Sequence, residues 1–290
     1  MQDRTNLVGD RRVWFITGCS SGLGLELAKA ALLHGDHVVA TARDPGKLGD
    51  AIGGQDGRAL LLRLDVTSQA EIDDAVGAAE RTFGRIDVLV NNAGYGYLGA
   101  VEESEEQDVR DLFETNFFAV ARLIHAVLPG MRQRRRGHIV NISSIAGLVG
   151  FPAVGYYSAT KFAVEGLSDV LRKEVASLGI KVTVVEPGAL RTEWSRGSIR
   201  QAKVSLADYD TTAGAVRRRI LQPQHPEPGD PARAAQAIVR AVEAPTPPIH
   251  LVLGRVALQA ARDEVDLLRR ELDKWEPLTT AADYPDASVP

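Results

Sequence analysis

The sequence predicts an α/β fold: one doubly wound domain with a parallel seven-stranded sheet and helices on both faces. Three observations carry this. Short apolar runs rich in β-formers recur along the chain and alternate with helical patterns, the rhythm of βαβ units. The first run leads through a glycine-rich turn into a helix. Most of these runs are predominantly apolar, as strands buried on both faces of a parallel sheet require.

Residues 13–17 form the first strand, and Thr17-Gly18-Cys19-Ser20-Ser21-Gly22-Leu23-Gly24 the turn into a helix that closes near Gly35. Such a strand, turn and helix suit a dinucleotide pyrophosphate. Glycines allow close backbone approach, and the helix N-terminus offers free N–H groups. The plainer reading is a glycine turn capped by Ser20 or Ser21. The second strand, 37–42, ends at Ala42, where a ribose-binding acid would be expected in an NAD-binding unit. Arg43 follows and suits a 2′-phosphate, so NADP(H) is favoured over NAD(H). Asp44 caps the next helix ahead of Pro45.

Residues 58–66 make the third strand and place Asp65 and Val66 at its end, where Asp65 meets adenine. Thr67 or Ser68 caps a helix reaching about residue 83. The fourth strand, 86–90, runs into Asn91-Asn92-Ala93-Gly94, either a cofactor crevice or an Asn-rich turn. A long helix, 104–128, carries Asn116 in its middle, and Arg134-Arg135-Arg136 reads as a solvated turn. The fifth strand, 138–143, delivers Ser144. A helix over 156–178 follows, then a sixth strand, 180–186, ending in Pro187-Gly188. The pattern blurs over 193–228, read as a substrate lid. Asp230-Pro231 opens a helix to about 243, residues 249–253 form the seventh strand, and 254–290 make a C-terminal helical extension over about 255–274. The whole chain, 1–290, reads as one domain.

Tyr157 and Lys161 lie four apart and therefore share a helix face. Tyrosine has a pKa of ~10, and a neighbouring ammonium favours phenolate. Lowering that value by about three units requires roughly 4 kcal/mol. The alternative is a packed ring beside a snorkelling lysine.

Composition sets limits. The 290 residues are 44% hydrophobic and 25% charged, with net charge -4, which argues against a basic nucleic-acid surface. No apolar run approaches the ~20 residues of a membrane span. The polar N-terminus argues against a secretory signal, and one cysteine, Cys19, fits a reducing compartment. The expectation is a cytoplasmic protein without nucleic-acid or membrane partners. Cys19 reads as a small buried hydrophobe, and no metal site is expected.

Taken together, Thr17-Gly18-x-x-x-Gly22-x-Gly24, Asn91-Asn92-Ala93-Gly94, Ser144, Tyr157-x-x-x-Lys161 and Pro187-Gly188 resemble a short-chain dehydrogenase/reductase over residues 12–255. Ser144, thirteen residues ahead of Tyr157, matches the family spacing better than Ser143. The resemblance implies a Rossmann fold with strand order 3-2-1-4-5-6-7 and a catalytic set of Asn116, Ser144, Tyr157 and Lys161. Tyr157 is then the general acid or base and Ser144 holds the substrate oxygen. Lys161 binds the nicotinamide ribose and lowers the tyrosine pKa, while Asn116 holds a water in a relay through Lys161. Asn92, Ala93 and Gly94 line the adenosine ribose, Pro187-Gly188 lies downstream, and Thr192 binds the carboxamide. The substrate is a small carbonyl or alcohol, hydrophobic and cyclic or aromatic, against Tyr95, Tyr97, Leu148, Phe151 and Trp194. Relatives assemble as dimers or tetramers through the helices carrying Asn116 and Tyr157, so a homo-oligomer is expected. Rival readings are an NAD-linked alcohol or hydroxysteroid dehydrogenase, an epimerase or dehydratase on the same site, and a non-catalytic NADP sensor.

Overall fold

A computed structural model describes residues 11–52, 57–192 and 197–284. In chain order the elements are β1 Val13–Ile16, α1 Gly22–Leu33, β2 His37–Ala42, α2 Gly46–Ile52, β3 Ala59–Arg63, α3 Gln69–Phe83, β4 Val88–Asn91 and β5 Gly96–Leu98. Next come α4 Glu106–Phe113, α5 Ala119–Arg134, β6 Gly137–Ile142, α6 Gly155–Val175, β7 Ile180–Pro187 and β8 Ile199–Gln201. The chain continues through α7 Ala215–Leu221, α8 Pro231–Glu243, β9 His250–Leu253 and α9 Arg255–Thr280.

Seven strands form one sheet in the order β3-β2-β1-β4-β6-β7-β9, every neighbouring pair parallel. Counted within that sheet, this is the expected 3-2-1-4-5-6-7 order. Alternate residues face opposite layers. Phe15, Val39, Leu89 and Ile139 point toward α3, α5 and α6, where they meet Ile72, Leu123 and Val164. Trp14, Val38, Val90 and Val185 point toward α1 and α8, against Leu27, Ile238 and Val239. Both faces are covered, which explains the predominance of apolar residues in the strands.

Local chemistry sets the helix ends. Ser68, not Thr67, caps α3, its side chain accepting from the Glu71 amide; Gly84 closes the helix in the left-handed region. Asp230 caps α8 by accepting from the amides of Ala232 and Arg233, with Pro231 in the first turn.

Several expectations need correction. The helix expected over 104–128 starts at Glu106 and continues to Arg134, interrupted by a π-turn at Glu114–Phe118. The arginine run is solvent-exposed around a turn at Arg135, as expected, and its guanidinium groups also meet backbone carbonyls. Arg134 closes α5 and donates to the Ile86 carbonyl at 2.8 Å, Arg135 is the left-handed C-cap, and its guanidinium reaches the Ser177 carbonyl. β3 covers only the middle of the expected 58–66 strand. α9 runs past Lys274 through Pro277 to Thr280. A two-stranded parallel ribbon, β5 with β8, was not anticipated. Residues 193–196, including Trp194, lie outside the described residues, so its place against a substrate is not described.

Candidate active site

The strands β1, β4, β6 and β7 end side by side, and their C-terminal ends deliver the glycine turn, residues 91–94, Ser144 and Pro187-Gly188 into one crevice. Open α/β sheets bind ligands where the strand order reverses.

The glycine turn is shaped for close approach. Gly18 sits at φ +71°, and a Cβ there would lie 2.9 Å from the Ala93 backbone. At Gly24 a Cβ would land 2.4 Å from Asn92 Nδ2 and 2.5 Å from the Gly18 carbonyl oxygen. Gly22 packs against Thr192, which places Thr192 across the turn from α1. The Ser21 side chain, at the N-cap of α1, caps nothing, and no acidic side chain occupies the first turn. Helix amides are thus left for an outside anion, next to exposed Ser20. These residues fit a dinucleotide pyrophosphate.

Thr17 ties this turn to its neighbour. Its hydroxyl accepts from the amides of Asn92 and Ala93, each at 3.0 Å. The Asn92 side chain donates to the carbonyls of Thr17 and Gly18 at 2.8 and 3.1 Å. Thr17 was part of the sequence motif but not a candidate binding residue; only the fold reveals it as the bracket. At the far end, Asp65 accepts from the Thr67 amide and hydroxyl, which holds its carboxyl below the ordinary range. Arg43, exposed just past β2, contributes to that lowering and so shares the corner with Asp65. Val66 is buried beside them.

Ser144 follows β6 as the N-cap of a short turn, its Oγ accepting from the Ala146 amide at 3.1 Å. It also hydrogen-bonds the Tyr157 hydroxyl, which would favour phenolate. Lys161 is one turn along α6, with Nζ donating to the Ile142 carbonyl at 2.9 Å and lying 5.7 Å from the centre of the Tyr157 ring. Asn116 sits in the π-turn and clasps the backbone of Tyr95, Nδ2 donating to its carbonyl and Oδ1 accepting from its amide. The same Nδ2 reaches Thr160 Oγ1 at 3.3 Å, and Thr160 donates to the Tyr157 carbonyl. A Cβ on Gly94 would lie 3.0 Å from Asn116 Oδ1 and 3.9 Å from Lys161 Nζ. The four expected catalytic side chains therefore converge around one point.

These arrangements meet a family pattern: the short chain dehydrogenase pattern matches residues 12–203. The chain belongs to the short-chain dehydrogenase/reductase family. Family members are oxidoreductases that act on alcohols and carbonyls, with a nicotinamide dinucleotide as redox partner. The chain is 39% identical over 273 residues to oxidoreductase BOA17 of Botryotinia fuckeliana, covering 93% of this chain and 99% of that one. It is 42% identical over 209 residues to human retinol dehydrogenase 8, covering 69% and 65%. Among solved structures, a short-chain dehydrogenase from Streptomyces avermitilis superposes with TM-score 0.90 at 41% identity, over 96% of this chain and all of that one. ElxO with NADP bound superposes at TM-score 0.71 and 28% identity, over 86% and 99%. A Burkholderia phymatum member in complex with NAD shares the fold at TM-score 0.75 and 24% identity, over 97% and 98%.

The electrostatics of this family member differ from the sequence expectation at one point. Burial pushes the Tyr157 phenol up to about 12, and the hydrogen bond with Ser144 opposes the shift. The ammonium itself is buried, drawn down to about 8, with Glu165 opposing the shift. Proximity alone suggested a lowered phenol, but the cost of burying a phenolate outweighs it.

The substrate side is also revised. Tyr97 is 1% exposed and packs in a cluster with Leu98, Leu112, Val154 and Tyr157, so it underlies the site instead of lining it. Tyr95 and Phe151 are half-buried at the edge of that cluster, and Leu148 is half-buried in the turn after Ser144. Cys19 is fully buried, its thiol pushed up to about 12, which suits a packed hydrophobe and not a nucleophile.

Glu103 is a functional candidate that the sequence did not disclose. It is buried, and its carboxylate accepts from the amides of Ala100 at 2.9 Å and Leu206 at 2.8 Å. It thereby joins the turn after β5 to the 197–228 segment. Nothing local distinguishes it within Glu102-Glu103-Ser104-Glu105-Glu106; its burial depends on a partner a hundred residues away.

Proposed function

We propose that this enzyme reduces a ketone or aldehyde with NADPH, or oxidises a secondary alcohol in reverse, with Tyr157 as general acid or base. The observation carrying the proposal is the hydrogen bond between Ser144 and Tyr157 beside the cationic turn of Lys161. Two hydroxyls that meet each other can both meet one substrate oxygen, where charge develops as the carbonyl is reduced.

The bound dinucleotide supplies or accepts the hydride. Everything else falls to the chain. Ser144 donates to the carbonyl oxygen, and Tyr157 delivers the proton. Burial keeps the phenol protonated at neutral pH, the state needed for carbonyl reduction. Lys161, with its value near 8, is mostly cationic at pH 7 and supports negative charge on the phenol oxygen as the proton leaves. Asn116 holds the backbone at Tyr95, which fixes the wall above Gly94. The turn of Gly18, Ser20, Ser21, Gly22, Leu23 and Gly24 would hold the pyrophosphate, with Asn92 to Gly94 and Asp65 on the adenosine side and Pro187, Gly188 and Thr192 on the nicotinamide side.

Preference for NADP(H) rests on Arg43 beside an Ala42 strand end that carries no acid. A hydrophobic, cyclic or aromatic substrate is favoured by half-buried Tyr95, Leu148 and Phe151 and by the likeness to a protein named as a retinol dehydrogenase. Residues 193–228 would act as the lid over that substrate.

Nicotinamide absorbance at 340 nm (a general property of the reduced ring) followed across a panel of ketones, aldehydes and oxo acids tests this reading. Apolar cyclic ketones should be consumed with NADPH. Binding of NADPH without consumption across the whole panel would make the protein a sensor, and fastest turnover of a small charged oxo acid would overturn the substrate class.

A further inference from the structure

Helix α9 carries an apolar seam that its own domain leaves uncovered. The helix has 26 residues, so at 1.5 Å per residue it is roughly 39 Å long. The helix rests beside the 145–147 turn that follows Ser144. Ala257 is its one buried residue among those described, packed on Gly188, and 260, 261 and 264 are half-buried; from 265 onward every described residue is exposed. Along this free part the sequence is not that of a solvated helix. Val265 is 65% exposed, Leu268 58%, Leu272 60% and Trp275 51%.

The spacing is regular. Leu258, Ala261, Val265, Leu268, Leu272 and Trp275 follow one another at intervals of three and four, the a and d positions of three heptads. Glu264 and Glu271 occupy g positions, and Arg262 and Arg269 occupy e positions. Among the described residues Glu264 makes no ion pair, and Arg269 has an exposed contact with Asp273 of its own helix at 3.9 Å. An unpacked helix of about 15 residues is marginal in water, so this stretch calls for a partner. The net charge over 255–280 is -1, from five basic and six acidic side chains. That balance disfavours an anionic membrane surface, whose helices are rich in lysine and arginine.

We propose that α9 pairs with α9 of a second copy of this chain as a parallel two-stranded coiled coil, with Val265, Leu268, Leu272 and Trp275 in the seam. Orientation follows from charge. In a parallel pair the g residue of one helix meets the e residue five places on in the other, which joins Glu264 to Arg269 twice across the dyad. An antiparallel pair centred on the whole 258–275 repeat brings Glu264 against Glu271 and Arg262 against Arg269. Parallel pairing has one opposing cost, Glu271 against Glu276, placed toward the helix end. This pairing is independent of the reaction proposed above and separate from the assembly through α5 and α6 that the family resemblance implies.

Three measurements on the full chain test it. Sedimentation velocity should show the wild-type mass falling by a factor of two in Leu268→Glu/Leu272→Glu, with the circular-dichroism melt of the domain retained. Glu264→Arg alone and Arg269→Glu alone should each raise the dissociation constant about tenfold, and the double reversal should restore it. Leu268→Cys should form a covalent dimer on mild oxidation, because a parallel seam sets residue 268 against its own copy, whereas outward-facing Asp266→Cys should not. An unchanged mass in the double-glutamate variant overturns the proposal. So does flotation of the wild type with phosphatidylcholine/phosphatidylserine vesicles, lost in that variant without any change in mass, which would assign the seam to a lipid surface. Cross-linking at 266 but not 268 overturns the parallel register.

Discussion

The side-chain amide of Asn116 closes a ring of two hydrogen bonds on the backbone of Tyr95, 2.9 Å to its carbonyl oxygen and 3.1 Å from its amide. The residue is 1% exposed and lies in the five-residue π-turn between α4 and α5. π-turns are uncommon and gather at functional sites, and here the wider turn presents the amide toward residues 94–95. Asn116→Leu should therefore strand two buried backbone groups at a cost of about 1–3 kcal/mol. Thermal unfolding should show the lower midpoint, and turnover should fall further than stability because the wall at Gly94 loses its support. A variant with wild-type melting and turnover would remove Asn116 from the site.

Tyr157→Phe tests the proton donor. The ring packs in the cluster with Leu98 and Val154, so phenylalanine keeps the packing and loses one hydroxyl. Turnover should drop about a hundred- to ten-thousand-fold, the range for removing a general acid. Affinity for NADPH, followed by fluorescence titration, should stay within about twofold. Equal losses in both would point to a binding role instead.

Much of this architecture was legible before any coordinates. Short apolar runs rich in β-formers and helices with a 3.6-residue period announce themselves locally, and so do a glycine turn and an Asp-Pro helix start. Gly96-Tyr97-Leu98 does not: three residues carry no measurable period, and they become a strand only because residues 199–201 lie alongside. The π-turn at Asn116 and the burial of Glu103 likewise depend on distant partners. Tyr157 shows a different limit. Its neighbour Lys161 was evident from spacing, but the depth of burial that sets the phenol's acidity is a property of the packed site. The arginine run at 134–136 was legible as an exposed turn, but its carbonyl partners, Ile86 and Ser177, were not.

Glu103 should govern the 197–228 segment. Its two oxygens accept from the amides of Ala100 and Leu206, with Arg217 3.8 Å away. Those two amides and the guanidinium hold the carboxyl below its ordinary range, despite burial. Nearby, Lys203 pairs with Glu105 at 2.8 Å and the Tyr209 hydroxyl donates to Glu102 at 2.6 Å. Those contacts are exposed and contribute little. Glu103→Gln would set an NH2 group against an amide N–H. Charged hydrogen bonds of this kind contribute about 1.5–3 kcal/mol, so trypsin should cut within 197–228 roughly ten- to a hundred-fold faster, with KM raised more than kcat is lowered. Unchanged cleavage would show that the segment is held elsewhere.

Arg43 is the test of cofactor choice. It stands at the end of β2 close enough to Asp65 to influence its ionisation. Arg43→Asp exchanges the cation proposed to meet a 2′-phosphate for an anion suited to a ribose hydroxyl. Losing a charged hydrogen bond of about 1.5–3 kcal/mol corresponds to roughly ten- to a hundred-fold in affinity. The ratio of kcat/KM for NADPH over NADH should fall by at least tenfold. A ratio that does not move overturns the NADP assignment while leaving the oxidoreductase reading intact.

Behind Lys161, α6 and the sheet enclose a second polar group. Glu165, one turn beyond the lysine, faces Glu186 near the end of β7 and His250 at the start of β9, with His250 Nδ1 2.7 Å from Glu186 Oε1 and 3.7 Å from Glu165 Oε2. Glu186 is 0% exposed. Burial raises Glu165 to about 7, with Glu186 adding to the shift and Ser143, His250 and Lys161 opposing it; burial raises Glu186 to about 8. Both carboxyls bind protons more tightly folded than unfolded, where their ordinary value is 4.5. Their stabilising effect is therefore complete below about 4.5 and is lost as pH climbs through about 7 and then 8. Lys161 has the opposite sign: its folded value of about 8 lies below the ordinary 10.5, so its contribution is present above 10.5 and lost as pH falls through 8. Between pH 6 and 8 the carboxyls dominate, and the melting temperature should decline across that window. Glu186→Gln mimics the protonated acid and should flatten the decline without lowering the midpoint at pH 8. A melting temperature that rises from pH 6 to 8 would show that the two carboxyls are not held above their ordinary range in the folded protein.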